Sequence, residues 1–275
     1  MDEPKEKIRM EFERLPDLTN NSTMSTGEVD NWFMMESPFP VLTLTSVYLY
    51  FVLWLGPAMM SKKQPLSLQP LIVLYNAAQV AFSSWWVYKV AGIFSVLKAS
   101  EVINAACRPS LLPSAIANQF DVMGWWYLMS KFVELLDTIF FVLRRKQNQV
   151  TFLHVYHHTN MAVSTWAFIK YVKGSQTMMI GFCNTLVHVV MYAYYLLSAL
   201  GPKIQKYLWW KRYITRLQIV QFLIIISYLV SVMIAPCQVP SAFITFAVGN
   251  TASFLLLFYN FYIRAYPKKA PAKGE

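Results

Sequence analysis

The chain has 275 residues, of which 56% are hydrophobic, 16% aromatic and only 14% charged; a soluble domain usually carries about 25% charged residues. Its net charge of +10 falls in short clusters beside apolar runs and not in a reading module, which excludes nucleic acid as a partner. The composition is that of a polytopic helical membrane protein.

Residues 1–40 form an acidic stretch with four basic and nine acidic side chains, read as a flexible N-terminal arm. Asn20 and Asn21 open two overlapping glycosylation sequons, which places that arm in a lumen. The first 30 residues show no cleavable signal pattern, so the first span has to act as the targeting signal. A helix rises about 1.5 Å per residue, so roughly 20 apolar residues cross a bilayer core. Seven stretches qualify: 41–60, 70–91, 122–143, 151–172, 177–199, 213–235 and 240–263. Pro40, Pro70, Pro202, Pro236 and Pro240 stand at or near their ends, where a missing amide is tolerated. The reading is an all-α membrane domain over 41–264 followed by a basic cytosolic tail over 265–275. With the N-terminus lumenal, thirteen Lys and Arg lie in cytosolic segments against three (Lys98, Arg108, Lys173) in the opposite loops. Cys107 and Cys237 both fall in lumenal loops and are expected to pair, while Cys183 lies mid-span.

Ionisable groups inside a span cost about 2.5–3.5 kcal/mol each and mark function by default. The third span holds "KFVELLDT", in which Lys131, Glu134, Asp137 and Thr138 share one face. They serve either as an ion pair that keeps a bundle in register or as carboxylates that orient the histidines of the next helix. The fourth span holds "TFLHVYHHTN", where His154, His157 and His158 lie within an arc of about 100°. The fifth holds "NTLVHVVMYAYY", with Asn184, His188, Met191, Tyr192 and Tyr195 on one face. All four histidines of the chain can therefore face one interior. Thr215, Gln218 and Gln221 open the sixth span as interhelical glue or as the lining of a polar entrance.

The H-x-x-H-H spacing occurs in membrane di-iron enzymes, but those draw on about twice as many histidines. Three ligands from one helix also converge poorly on a single tetrahedral zinc. No metal is expected. A neutral imidazole is instead a nucleophile and general base, and a dry cavity protects an acyl-imidazole from hydrolysis. The residues thus favour acyl transfer without naming the acceptor.

"KFVELLDTIFFVLRRK", "FLHVYHH", "NTLVHVVMYAYY" and "TRLQIVQF", in this order, closely resemble the elongation-of-very-long-chain-fatty-acids family, the membrane 3-ketoacyl-CoA synthases, over residues 31–266. The resemblance implies seven transmembrane helices, six of them ringed around a closed-ended acyl channel, in the endoplasmic reticulum membrane. It also implies condensation of a long-chain acyl-CoA with malonyl-CoA, releasing carbon dioxide and CoA, with no bound cofactor. By that resemblance His157 accepts the acyl chain and His188 acts on malonyl-CoA. His154 and His158 orient the site, supported by Lys131, Glu134, Asp137, Asn184, Tyr192 and Gln218. The basic rim of Arg144, Arg145, Lys146, Lys203, Lys206 and Arg212 suits the CoA phosphates. Other elongation-cycle enzymes and a second copy of the chain are the protein partners left open.

Overall fold

Backbone amides in lipid have only one another as partners, which restricts spanning segments to helices or closed barrels. A computed structural model describes residues 29–96, 107, 114–172, 174–235 and 239–267, and among them there is no strand. The long apolar stretches become α1 (Phe39–Met60), α2 (Gln69–Val96), α3 (Ser114–Glu134), α4 (Leu136–Leu143), α5 (Phe152–Tyr171) and α6 (Gly174–Ala199). A short α7 (Pro202–Gln205) leads into α8 (Lys211–Ile234) and α9 (Ser241–Ala265). Most observed ends fall within a few residues of the expected ones. The third span differs: it begins at Ser114 and breaks at Leu135, whose N–H bonds the Phe132 carbonyl at 3.2 Å in a tightened three-residue step.

Among the described residues, α1, α8, α9 and residues Gln176–Ala199 of α6 are long and apolar enough to cross a membrane. The chain is therefore a multi-pass membrane protein. Trp54, Leu74, Tyr88, Ile234 and Leu256 point outward, an apolar coat that water would not tolerate at this density.

Two glycines set helix spacing. A Cβ on Gly56 would stand 2.6 Å from Val142 Cγ1, so its absence lets α1 close on α4. A Cβ on Gly181 would stand 3.2 Å from the Trp86 ring, so α6 can receive that indole from α2. Trp86 is fully buried and donates Nε1–H to the Met123 carbonyl at 2.8 Å, tying α2 to α3. From there α3 packs on α5 and α6, α6 on α8, α8 on α9, and α9 returns to α5, while α1 lies outside against α4 and α5.

Of the arm expected over 1–40, residues 1–28 lie outside the described residues, with Asn20 and Asn21 among them. Residues 29–35 pack against the bundle: Met35 joins Val41, Leu128, Trp166 and Ile169 in one cluster. Trp166 Nε1 donates to the Met34 carbonyl at 2.7 Å and Trp125 Nε1 to the Phe33 carbonyl at 3.0 Å. These bonds hold Met34 in the left-handed region, at φ 70°. Cys107 is disulfide-bonded and Cys183 is a free thiol; Cys237 lies outside the described residues.

Candidate active site

Thr151 starts α5 by accepting the His154 backbone N–H on Oγ1 at 3.2 Å, which fixes the rotation of the helix that follows. The three histidines then gather on one side. The His154 and His158 rings lie 4.3 Å apart, and His157 meets His158 edge to face at 5.7 Å. His157 also packs against Phe254 at 4.7 Å and Phe258 at 5.7 Å, both from α9. His157 Nδ1 and His154 Nε2 are buried and have no hydrogen-bond partner among the described residues. Buried imidazole nitrogens without partners are uncommon and call for a functional reason.

The acidic face of α3 serves the fourth histidine. Glu134 Oε1 accepts from His188 Nδ1 at 3.2 Å and from Lys131 Nζ at 2.8 Å, and Oε2 takes Lys131 again at 3.0 Å. Ser130 Oγ lies 3.5 Å from the same carboxylate. A carboxylate on Nδ1 fixes the imidazole tautomer and leaves Nε2 as the working nitrogen. Lys131 also donates to Asn184 Oδ1 at 2.9 Å, where Tyr127 OH adds a second bond at 2.8 Å. The Lys131 ammonium stands 4.5 Å from the Tyr127 ring centre.

The other expected residues go elsewhere. Asp137 lies beyond the Leu135 break and accepts from Tyr192 OH at 2.8 Å, and Thr138 pairs with Tyr48 of α1 at 2.7 Å. Gln218 donates to Met191 Sδ at 3.8 Å, a weak bond between α8 and α6. Arg144, Arg145 and Lys146 follow α4, Lys203 and Lys206 lie on or just after α7, and Arg212 lies in the first turn of α8. Cross-links gather these segments at one end of the bundle: Arg145 to the Lys63 carbonyl at 3.1 Å, Gln69 to the Ala199 carbonyl at 3.0 Å, and Arg216 to Tyr262 OH at 2.7 Å. The end of α5 that carries the histidines faces the same way.

From His157 a cavity runs away from that basic end. It leaves about 70 Å³ open to the centre of a water-sized molecule, and its walls come from α2, α3, α5, α6, α8 and α9. Along α5 the wall passes from His157 through Ser164 and Thr165 to Ile169, about 18 Å at 1.5 Å per residue. Ile169 belongs also to the cluster that holds Met35, so the packed N-terminal segment lies behind that wall. Gln221 is a wall residue of this cavity. Spacing alone could not have chosen it over Gln218, since both lie on the same broad face of α8.

A profile of the ELO family, described as the GNS1/SUR4 family, matches residues 33–274. Very long chain fatty acid elongase 7 of Drosophila melanogaster is 39% identical over 95% of this chain and 78% of its own length. Very long chain fatty acid elongase 4 of Macaca mulatta is 42% identical over 92% of this chain and 80% of its own length. Very long chain fatty acid elongase 2 of Rattus norvegicus is 39% identical over 90% and 87%.

Proposed function

The chain belongs to the ELO (GNS1/SUR4) family, and from that membership we propose that it is a fatty acid elongase acting as a very-long-chain 3-oxoacyl-CoA synthase. It condenses a long-chain acyl-CoA with malonyl-CoA in the endoplasmic reticulum membrane. Seven helical spans carry the chain across, with the N-terminus lumenal and the C-terminus cytosolic; the excess of Lys and Arg on one side supports that orientation. The observation that carries the reading is His157, whose buried Nδ1 has no hydrogen-bond partner among the described residues, at one end of a largely apolar cavity.

The reaction runs in two halves, as a ping-pong cycle. In the first, a nitrogen of His157 takes the acyl group from the thioester and the CoA thiol leaves. In the second, malonyl-CoA loses its carboxylate as carbon dioxide, and the electron pair left behind forms the new carbon–carbon bond with the acyl carbon. His157 departs from that carbon and regains one proton from solution, so each cycle consumes one proton. His188 handles the malonyl unit and this proton: Glu134 holds its Nδ1–H, leaving Nε2 to take and give it. Arg144, Arg145, Lys146, Lys203, Lys206 and Arg212 provide cation partners for the phosphates of both CoA esters. The cavity takes the acyl chain and keeps water from the acyl-imidazole.

Labelled malonyl-CoA offered with a ladder of acyl-CoAs tests the activity. The expected product is a labelled 3-oxoacyl-CoA two carbons longer than the acyl donor, lost in His157→Ala and in His188→Ala. Full incorporation of label by His157→Ala would remove His157 from its role.

A further inference from the structure

Two carboxamides line the cavity, and the NH2 group of each has no hydrogen-bond partner among the described residues. Asn184 is 5% exposed, and its Oδ1 is committed to Tyr127 OH and Lys131 Nζ. Its NH2 group is thereby turned the other way, and among the described residues nothing accepts from it. Gln221, also 5% exposed, lines the same cavity and makes no side-chain hydrogen bond among the described residues. Both carboxamides border the open space of the cavity and are not sealed in protein, so a ligand that enters it meets two amide donors.

Their depth identifies the acceptor. Phe222, next to Gln221, packs on Phe258 at 5.1 Å and Phe254 at 6.1 Å, the same two rings that flank His157. Asn184 lies one helical turn below His188 and is the cavity-lining residue of α6 closest in sequence to it. We infer that the Asn184 Nδ2 and Gln221 Nε2 amides form a two-donor site for the acyl carbonyl oxygen of the substrate at the moment it becomes an oxyanion. The inference rests on acyl transfer to His157 as proposed above.

The lone pair of a His157 nitrogen attacks the thioester carbon, a carbon–nitrogen bond forms, and the carbonyl π electrons move onto oxygen. The two N–H groups hold that oxyanion. Its collapse restores the carbonyl and breaks the carbon–sulfur bond. The thiolate leaves with the bonding pair and takes up the remaining imidazole proton, giving a neutral acyl-imidazole and free CoA thiol. Lys131 and Tyr127 act here through Asn184: by occupying Oδ1 they decide which end of the amide meets the substrate.

The test is the single-turnover rate of acyl-adduct formation on His157, read by quench and peptide mass, with a long-chain acyl-CoA and no malonyl-CoA. Gln221→Met keeps size and loses the donor; Gln221→Glu keeps shape and puts a carboxylate in its place. Both should slow adduct formation by about 10²- to 10³-fold, the usual effect of one oxyanion donor. Binding of an unreactive thioether analogue of the acyl-CoA, which forms no oxyanion, should stay at the wild-type level in Gln221→Met. Adduct formation at the wild-type rate in both variants overturns the inference. So does parallel loss of adduct and analogue binding, which marks a structural role. If wild type turns over yet never carries an acyl group on His157, the acyl-histidine reading itself fails, a result distinct from both.

Discussion

Lys131 and Glu134, 2% and 5% exposed, form a buried ion pair whose worth lies in what it holds. A buried pair often contributes little net stability, but losing one member leaves a bare charge. Lys131→Met should therefore destabilise the protein by about 3–5 kcal/mol, measured by denaturant unfolding in detergent, and a compensating Glu134→Leu should recover much of it. Neither variant should form product, because Asn184 and His188 lose the groups that orient them. Tyr192→Phe removes the donor to Asp137 and should cost about 1–3 kcal/mol, the price of a buried acceptor left without its partner. The sequence placed Lys131, Glu134 and Asp137 on one helical face, which their spacing allows. It could not tell that Glu134 serves His188 while Asp137 serves Tyr192. A three-residue step names a face but not a partner, and the turn at Leu135 separates the two carboxylates. Gln218 and Gln221, both named as glue or lining, could not be told apart for a related reason: which of two glutamines on one face meets empty space depends on the helices opposite.

At the scale of elements, apolar length and proline placement located the long helices to within a few residues. The start of α3 was missed because "SAIANQFD" mixes polar and apolar residues too evenly to read as a span, yet it continues the helix toward Trp86 and Phe94. Close helix approach was also illegible, since a glycine in a sequence does not say which neighbour it admits. Gly181→Leu should push Trp86 off its seat between α2, α3 and α6, costing about 1–3 kcal/mol by overpacking. Thermal unfolding in detergent measures that cost. An unchanged melting temperature would mean that Trp86 can move freely, against its full burial and its bond to Met123.

Over the whole molecule, the basic segments and the histidine-bearing end of α5 share one pole, and the cavity leads away from it. That polarity matches a substrate with a polyanionic head and a long apolar tail. Thr165 stands eight residues beyond His157 on the cavity wall, about 12 Å deeper at 1.5 Å per residue. Thr165→Trp should remove the longest products from the profile while leaving turnover of shorter acyl-CoAs close to wild type. Loss of all chain lengths alike would show that the tail does not run along this wall. The most direct measurement is the mass of the intact protein after incubation with a long-chain acyl-CoA alone, followed by peptide mapping. The proposal predicts one added acyl group, located on His157, absent from His157→Ala and discharged by malonyl-CoA. A turnover-competent enzyme that never gains that mass, or gains it at another residue, would contradict it.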